Sequence, residues 1–290
     1  PKVWKYKDSY SMILGSKFKQ EDNDKFTGEA LFYTSKDGEK WTYKNRCYDD
    51  TIGDMWECPD LFEVDGRYVL VMSPENIIAD DINYTNNSVY SIVDFDEETC
   101  EMKLINNQKF LDEGLDLYAP QTTLDEFGNR VLIGWMRMPL TFDGEDWIGM
   151  MSLPRVINIK NNDVYFSAPE YIDKLFNKEV KLSEFDVNDV YKLNATLNKD
   201  SVLDIGGYKI SIVDDSIVTD RSKVFPDMKR KGRVFKSSKL NGRYDLSIYI
   251  DNGIIEIFIN DGKYVISNIV YGLESKIEVH NIETIRLLKI

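Results

Sequence analysis

Asp54-Met55-Trp56-Glu57-Cys58-Pro59-Asp60-Leu61-Phe62 is followed by Asp65-Gly66 and then by Arg67-Tyr68-Val69-Leu70-Val71-Met72. Apolar and β-branched runs on either side of an Asp-Gly pair read as two strands joined by a tight turn. This phrase, repeated along the chain, sets the fold class as all-β. It also puts Glu57 at or just before a strand, between an indole and a thiol, in a partly apolar setting. Burial raises a carboxyl pKa because the charged form loses solvation. A Glu kept protonated near neutral pH can then act as a general acid. On these residues alone, an ordinary Glu on an exposed strand end is the commoner outcome.

Outward from this stretch the strand signals continue. Residues 8–43 read as a β-meander, with strands at 11–15 and 30–35 and a turn at Lys36-Asp37-Gly38-Glu39-Lys40 before Trp41, read as a core or packing residue. Residues 74–87 read as polar and irregular; Asn83-Tyr84-Thr85 and Asn86-Asn87-Ser88 fit the glycosylation sequon there by chance. Further strands are expected at 88–95, 102–105, 130–136 and 164–167. Tyr171, Ile172 and Leu175 have the i, i+1, i+4 spacing of a short helix. From 177 onward the strands are expected at 201–205, 208–213, 244–250, 254–259, 263–271 and 284–290. Gly206-Gly207, Asn241-Gly242, Asn252-Gly253 and Asp261-Gly262 punctuate them, a regular short-strand pattern that favours a β-sandwich. Glu256 alternates with apolar neighbours, which assigns it to a solvated strand face.

The 290 residues suit one large or two medium domains, and 42% hydrophobic content is ample for a core. A formal net charge of −14 argues against nucleic acid and against an anionic membrane surface as partners. Three cysteines, Cys47, Cys58 and Cys100, with no close pair, do not make a disulfide framework or a metal-ligand spacing. With His280 as the one histidine, a His base or a multi-His zinc site is poorly supported. No apolar run is long enough to span a bilayer.

Trp56-Glu57-Cys58-Pro59-Asp60 resembles the acid/base motif of the β-fructosidase family, glycoside hydrolase family 32, which includes invertases, sucrose-6-phosphate hydrolases, levanases and inulinases. Asp112 to Gln121, with Leu115-Asp116-Leu117-Tyr118-Ala119-Pro120-Gln121, leads to Ile133-Gly134-Trp135-Met136 as a Tyr-Ala-Pro-Gln run leads to an Ile-Gly-Trp-Met strand in that family. Met151 to Arg155 and Tyr249 to Gly262 are similar to further family segments. The resemblance implies the C-terminal blades of a five-bladed β-propeller over 1–168, a helical linker at 169–176 and a C-terminal β-sandwich at 177–290. It implies Glu57 as proton donor and then base, with Asp116, Tyr118, Trp135 and Cys58 at the sugar. An aromatic face packs on a sugar's C–H surface, and a carboxylate accepts from its hydroxyls. No metal or organic cofactor is implied. Arg155 reads as a structural ion-pair partner, and Arg137 as a solvated arginine able to meet a phosphate.

Pro1-Lys2-Val3-Trp4 resembles the family's Arg-Asp-Pro-Lys-Val motif without its Arg and Asp, and nothing in the 290 residues resembles the Asn-Asp-Pro-Asn motif that holds the nucleophile. The expectation is therefore a hydrolase of terminal β-D-fructofuranosides in which this chain alone is inactive. Association with a missing N-terminal segment, or an oligomer, is expected from exposed sheet edges. Cysteine usage leans to the cytoplasm, with secretion still open. Two alternatives stand beside this: a non-catalytic fructose- or fructan-binding protein, and an arabinanase or xylosidase on a related propeller.

Overall fold

The computed structural model describes residues 1–21, 24–79, 82–84, 87–106, 108–228 and 232–290. Both sequons include residues outside these, Thr85 and Asn86. Two compact units are present: residues 1–111, 117–135 and 158–163 form the first, and residues 112–116, 136–157 and 164–290 the second.

The first unit opens with an antiparallel sheet of β1 (Lys2–Tyr6), β2 (Ser9–Lys19), β3 (Phe26–Ser35) and β4 (Thr42–Tyr48), in that order. Its second sheet holds β5 (Met55–Val64) and β6 (Arg67–Glu75), then, beyond the short pair β7 (Ile77–Ala79) and β8 (Ile82–Tyr84), β9 (Val89–Phe95), β10 (Met102–Leu104) and β11 (Lys109–Phe110). Asp65 and Gly66 have φ of 51° and 73°, so the expected tight turn closes β5 onto β6 with Val64 opposite Arg67. The pair β7–β8 lies where the sequence reads as irregular; three-residue strands leave too short a run for alternation to show. Next along the chain come β12 (Leu117–Leu124) and β13 (Arg130–Met136), hydrogen-bonded neighbours.

Trp56 organises the core of this unit. It is wholly buried among Ile13, Phe32, Leu70 and Met72, and its indole N–H donates to the Ile52 carbonyl at 2.7 Å. Two glycines make room for it. A Cβ on Gly15 would lie 1.7 Å from the Trp56 carbonyl oxygen, and one on Gly28 would lie 2.2 Å from the indole Cδ1. Trp41, read as a core or packing residue, is not in the core: it sits half-buried on its own turn and donates to the Gly38 carbonyl at 3.1 Å.

The second unit contains β14 (Met150–Met151), part of β15 (Arg155–Lys160), most of β16 (Asp163–Ser167), and α1 (Glu170–Asp173), the short helix expected there. The rest is almost wholly strand: β17 (Lys178–Val180), β18 (Tyr191–Ile205), β19 (Tyr208–Val213), β20 (Ser216–Asp220), β21 (Val234–Lys236), β22 (Asp245–Asp251), β23 (Ile254–Ile259), β24 (Tyr264–Ile269) and β25 (Ile277–Lys289). They run in the order β21-β20-β19-β18-β22-β23-β24, with β25 against β17 and β18. The long strand β18 pairs with β22 through its first half and β19 through its second, with register shifts against β25 between Thr196 and Val202. Those shifts and the exposed Asn198-Lys199-Asp200 break the alternation, which is why only 201–205 reads as strand from sequence. Side chains such as Leu193, Ile205, Ile210, Ile248, Ile257 and Leu287 fill this unit's core.

Glu256 corrects the sequence reading. It is 2% exposed, not solvated. Strand β23 lies between β22 and β24 with every residue buried, so alternation there separates two interiors rather than core from water. The Arg155 guanidinium meets Glu256 Oε2 at 2.7 Å and Asp112 Oδ2 at 2.8 Å, and the Leu153 N–H donates to Glu256 Oε1 at 2.5 Å. Arg155 is thus the structural ion-pair partner that the sequence suggested. Arg137, read as solvated, donates to the Leu115 carbonyl at 2.6 Å.

Candidate active site

Glu57 sits inside β5, opposite Ser73 of β6. The register then slips: Asp60 faces Val71, so Cys58 and Pro59 together oppose Met72 alone. Two residues against one is a β-bulge, a device that re-aims a side chain and is common beside active sites. Cys58 takes the left-handed region at φ 50° to make it, an uncommon conformation for a residue with a Cβ. Proline follows, with no N–H to leave unpaired in the disrupted ladder.

The same shape recurs on β12. Tyr118 is followed by Ala119 at φ 49° and by Pro120. The Ala119 N–H donates to Ser73 Oγ at 3.2 Å, and Ser73 Oγ lies 3.1 Å from Ser88 Oγ. The two irregular segments run side by side. Tyr118 donates its hydroxyl to Glu57 Oε2. Gln121 Nε2 donates to the Cys58 carbonyl at 3.2 Å, and the Thr122 N–H donates to Asp60 Oδ2 at 2.6 Å. Both positions put a residue with a Cβ in the sparsely populated left-handed region.

Trp135, on β13, meets the Tyr118 ring edge-to-face, with centroids 6.5 Å apart at 66°. Tyr118 is buried, while Trp135 is 45% exposed. An exposed indole beside a buried phenol offers an apolar platform next to a carboxyl group. Cys58 is half-buried with its thiol pushed up, first by burial and then by the Glu57 charge. It is therefore a neutral thiol at neutral pH, and Cys47, Cys58 and Cys100 are all free.

Glu57, Cys58, Tyr118 and Trp135 thus gather in the first unit. Asp116 belongs to the second. It is 7% exposed, and its carboxylate is taken up by the fork of the Arg221 guanidinium, with Nη2 to Oδ1 at 3.2 Å, and by the Ile269 N–H at 3.0 Å. Sequence reasoning missed Lys2, Ser73 and Arg221. Asp60 lies within the quoted motif and carried a signal; Ser73 and Arg221 carried none, because their partners are distant in sequence. Among the described residues no cluster of three or more His, Cys, Asp or Glu is arranged to hold a metal ion.

The model of the glycosyl hydrolases family 32 N-terminal domain matches residues 1–169. The chain belongs to glycosyl hydrolases family 32. The model of the family 32 C terminal matches residues 208–287. The chain is 32% identical over 291 residues to a sucrose-6-phosphate hydrolase of Vibrio alginolyticus, covering 92% of this chain and 58% of that protein. It is 29% identical to the sucrose-6-phosphate hydrolase of Bacillus subtilis (strain 168), covering 92% of this chain and 60% of that one. It spans about three fifths of the length of these curated family 32 relatives. Among solved structures, the sucrose-6-phosphate hydrolase from Lactobacillus gasseri is similar with a TM-score of 0.83 at 23% identity, covering 99% of this chain and 65% of that one. A mutant of the Bombyx mori GH32 beta-fructofuranosidase in complex with sucrose is similar with a TM-score of 0.78 at 24% identity, covering 100% and 64%. At these identities the likeness is one of fold. The fold is the all-β one of family 32: C-terminal blades of a five-bladed β-propeller followed by a β-sandwich.

Proposed function

We propose that this chain carries the acid/base half of a retaining glycosidase acting on terminal β-D-fructofuranosides: sucrose, sucrose 6-phosphate or fructans. The observation that carries this reading is the Tyr118 hydroxyl bonded to Glu57 at a strained bulge, with the Trp135 ring alongside. Glu57 protonates the departing glycosyl oxygen and, in the second step, takes a proton from the attacking water. Tyr118 aims the carboxyl group, Trp135 receives the sugar's C–H face, and the Cys58 thiol lines the approach without adding charge. Asp116 keeps its carboxylate on Arg221 within the second unit. The names of the Vibrio alginolyticus and Bacillus subtilis relatives favour sucrose 6-phosphate within this class.

A retaining mechanism needs a second carboxylate roughly 5–5.5 Å from the first. No Asn-Asp-Pro-Asn run occurs in the 290 residues, so the chain by itself is proposed not to turn over. This favours, as a second reading for the chain alone, a fructoside binder without chemistry. The exposed Tyr43 and Tyr48 on the edge strand β4 favour association with another polypeptide, and the free thiols favour a reducing compartment.

The test is fructose release from sucrose and from sucrose 6-phosphate by the purified chain, alone and in a longer form joined to the N-terminal segment of a family 32 relative. Release by the 290 residues alone overturns the proposed inactivity. Undiminished release by a Glu57→Gln form of the longer protein overturns the role given to Glu57.

A further inference from the structure

Below the Glu57–Tyr118 pair, β1, β5 and β12 are bound together by one charged cluster. Lys2 Nζ on β1 donates to Asp60 Oδ2 at 3.0 Å and to the Thr122 carbonyl at 2.5 Å. The same Asp60 oxygen accepts the Thr122 N–H at 2.6 Å. The Asp60 side chain is fully buried, and its other oxygen, Oδ1, has no hydrogen-bond partner. Lys2 is its ion-pair partner, with a side chain 23% exposed.

A buried carboxylate stripped of its counter-ion draws water or moves toward it. Lys2 is the cation bonded to Asp60 Oδ2, with the more distant Arg130 charge beside it, so removing Lys2 weakens the Asp60–Thr122 bond. That bond lies three residues beyond Glu57 and four beyond Tyr118. β5 and β12 belong to different sheets, so their alignment rests on side-chain bonds such as Asp60 to the Thr122 N–H, Gln121 to the Cys58 carbonyl and Tyr118 to Glu57.

We propose that Lys2 is a positioning residue for the proposed acid/base: through Asp60 it ties β12 to β5 in the placement that puts the Tyr118 hydroxyl on Glu57. The functional weight of this rests on the reading of Glu57 given above, but the placement of the two strands does not. Lys2 touches neither Glu57 nor the reacting atoms; it acts on where they stand.

The test uses the 290-residue chain with tyrosine carrying ¹³C at Cζ, the Tyr118 signal being assigned by its loss in Tyr118→Phe. Exchange of the Thr122 amide is followed in parallel. Lys2→Met is expected to move the Tyr118 signal in the direction that Glu57→Gln moves it. It is also expected to speed Thr122 exchange by about tenfold or more. Lys2→Arg keeps the charge and is expected to leave both near wild type. Lys7→Met, which removes an exposed lysine paired with Glu98, is expected to leave both unchanged. A Lys2→Met chain that melts earlier while keeping the wild-type Tyr118 signal and Thr122 exchange overturns the proposal. Should Lys2→Met fail to fold, the double variant Lys2→Met with Asp60→Asn removes the buried charge together with its partner. A wild-type Tyr118 signal there also overturns the proposal, and a shifted one supports it. All signals are read without sugar, so their failure is separate from a failure of Glu57 in hydrolysis.

Discussion

Tyr118 donates its hydroxyl to Glu57 although 61 positions separate the two in sequence. Each is followed by a left-handed residue and a proline, Cys58-Pro59 and Ala119-Pro120. Two matching irregularities thus lie side by side, and the polar contact between their leading residues fixes where the carboxyl group points.

This contact gives the first prediction. In any form containing these 290 residues that releases fructose, as proposed, Glu57→Gln is expected to lower kcat by about 10²–10⁴-fold, the usual worth of a positioned acid/base. Tyr118→Phe is expected to lower kcat by less, with KM nearly unchanged, because it misaims the carboxyl group without removing a sugar contact. Steady-state kinetics on both variants checks the split.

A second prediction separates two aromatic and acidic positions by their surroundings. Trp135→Ala removes a 45%-exposed ring and is expected to weaken fructose binding by about 0.5–1.5 kcal/mol with little loss of stability. Asp116→Asn breaks a buried charged pair with Arg221 and is expected to do the reverse, lowering the urea midpoint. Calorimetric titration and urea unfolding distinguish them.

Trp56 supplies a third. Trp56→Ala empties the centre of the first unit's core and is expected to cost about 3–5 kcal/mol. Gly28→Ala pushes a methyl group to 2.2 Å from the indole and is expected to cost about 1–3 kcal/mol by overpacking. Chemical denaturation measures both.

Glu113 supplies a pH dependence. Burial pushes its carboxyl up from 4.5 to about 7, and the Asp112 charge adds to this, against the opposing hydrogen bonds from Ser238. Between those values the folded state holds a proton that the unfolded chain has released. This contribution to stability is therefore full below pH 4.5 and is lost as pH rises toward 7. Glu113→Gln is expected to lose less stability over that interval. Urea midpoints at its two ends give the comparison.

The last prediction concerns Arg155, wholly buried between Asp112 and Glu256. Both carboxyls are pushed up by burial, against the pull of Arg155. Arg155→Met is expected to cost about 3–5 kcal/mol by leaving buried carboxylates without their cation, and the loss should grow as pH rises. Thermal melts across pH test the magnitude and the sign.

The sequence by itself determined the class of fold and the neighbourhood of the site. Asp65-Gly66 and Asp261-Gly262 announce their turns because a left-handed backbone is cheap for few residues, and that cost is local. Trp56 to Asp60 and Tyr118 to Gln121 were legible as unusual combinations of residues in order. Only the tertiary structure decided what each side chain meets. Glu256 reads as solvent-facing because alternation cannot tell a strand with one wet face from one buried on both. Asp116 and Arg221, or Lys2, Asp60 and Thr122, find each other across many intervening residues, and nothing in the local pattern of either partner encodes that meeting. Conformational preference is a property of a few neighbouring residues, whereas the pairing of charges and hydrogen bonds is a property of the packed chain.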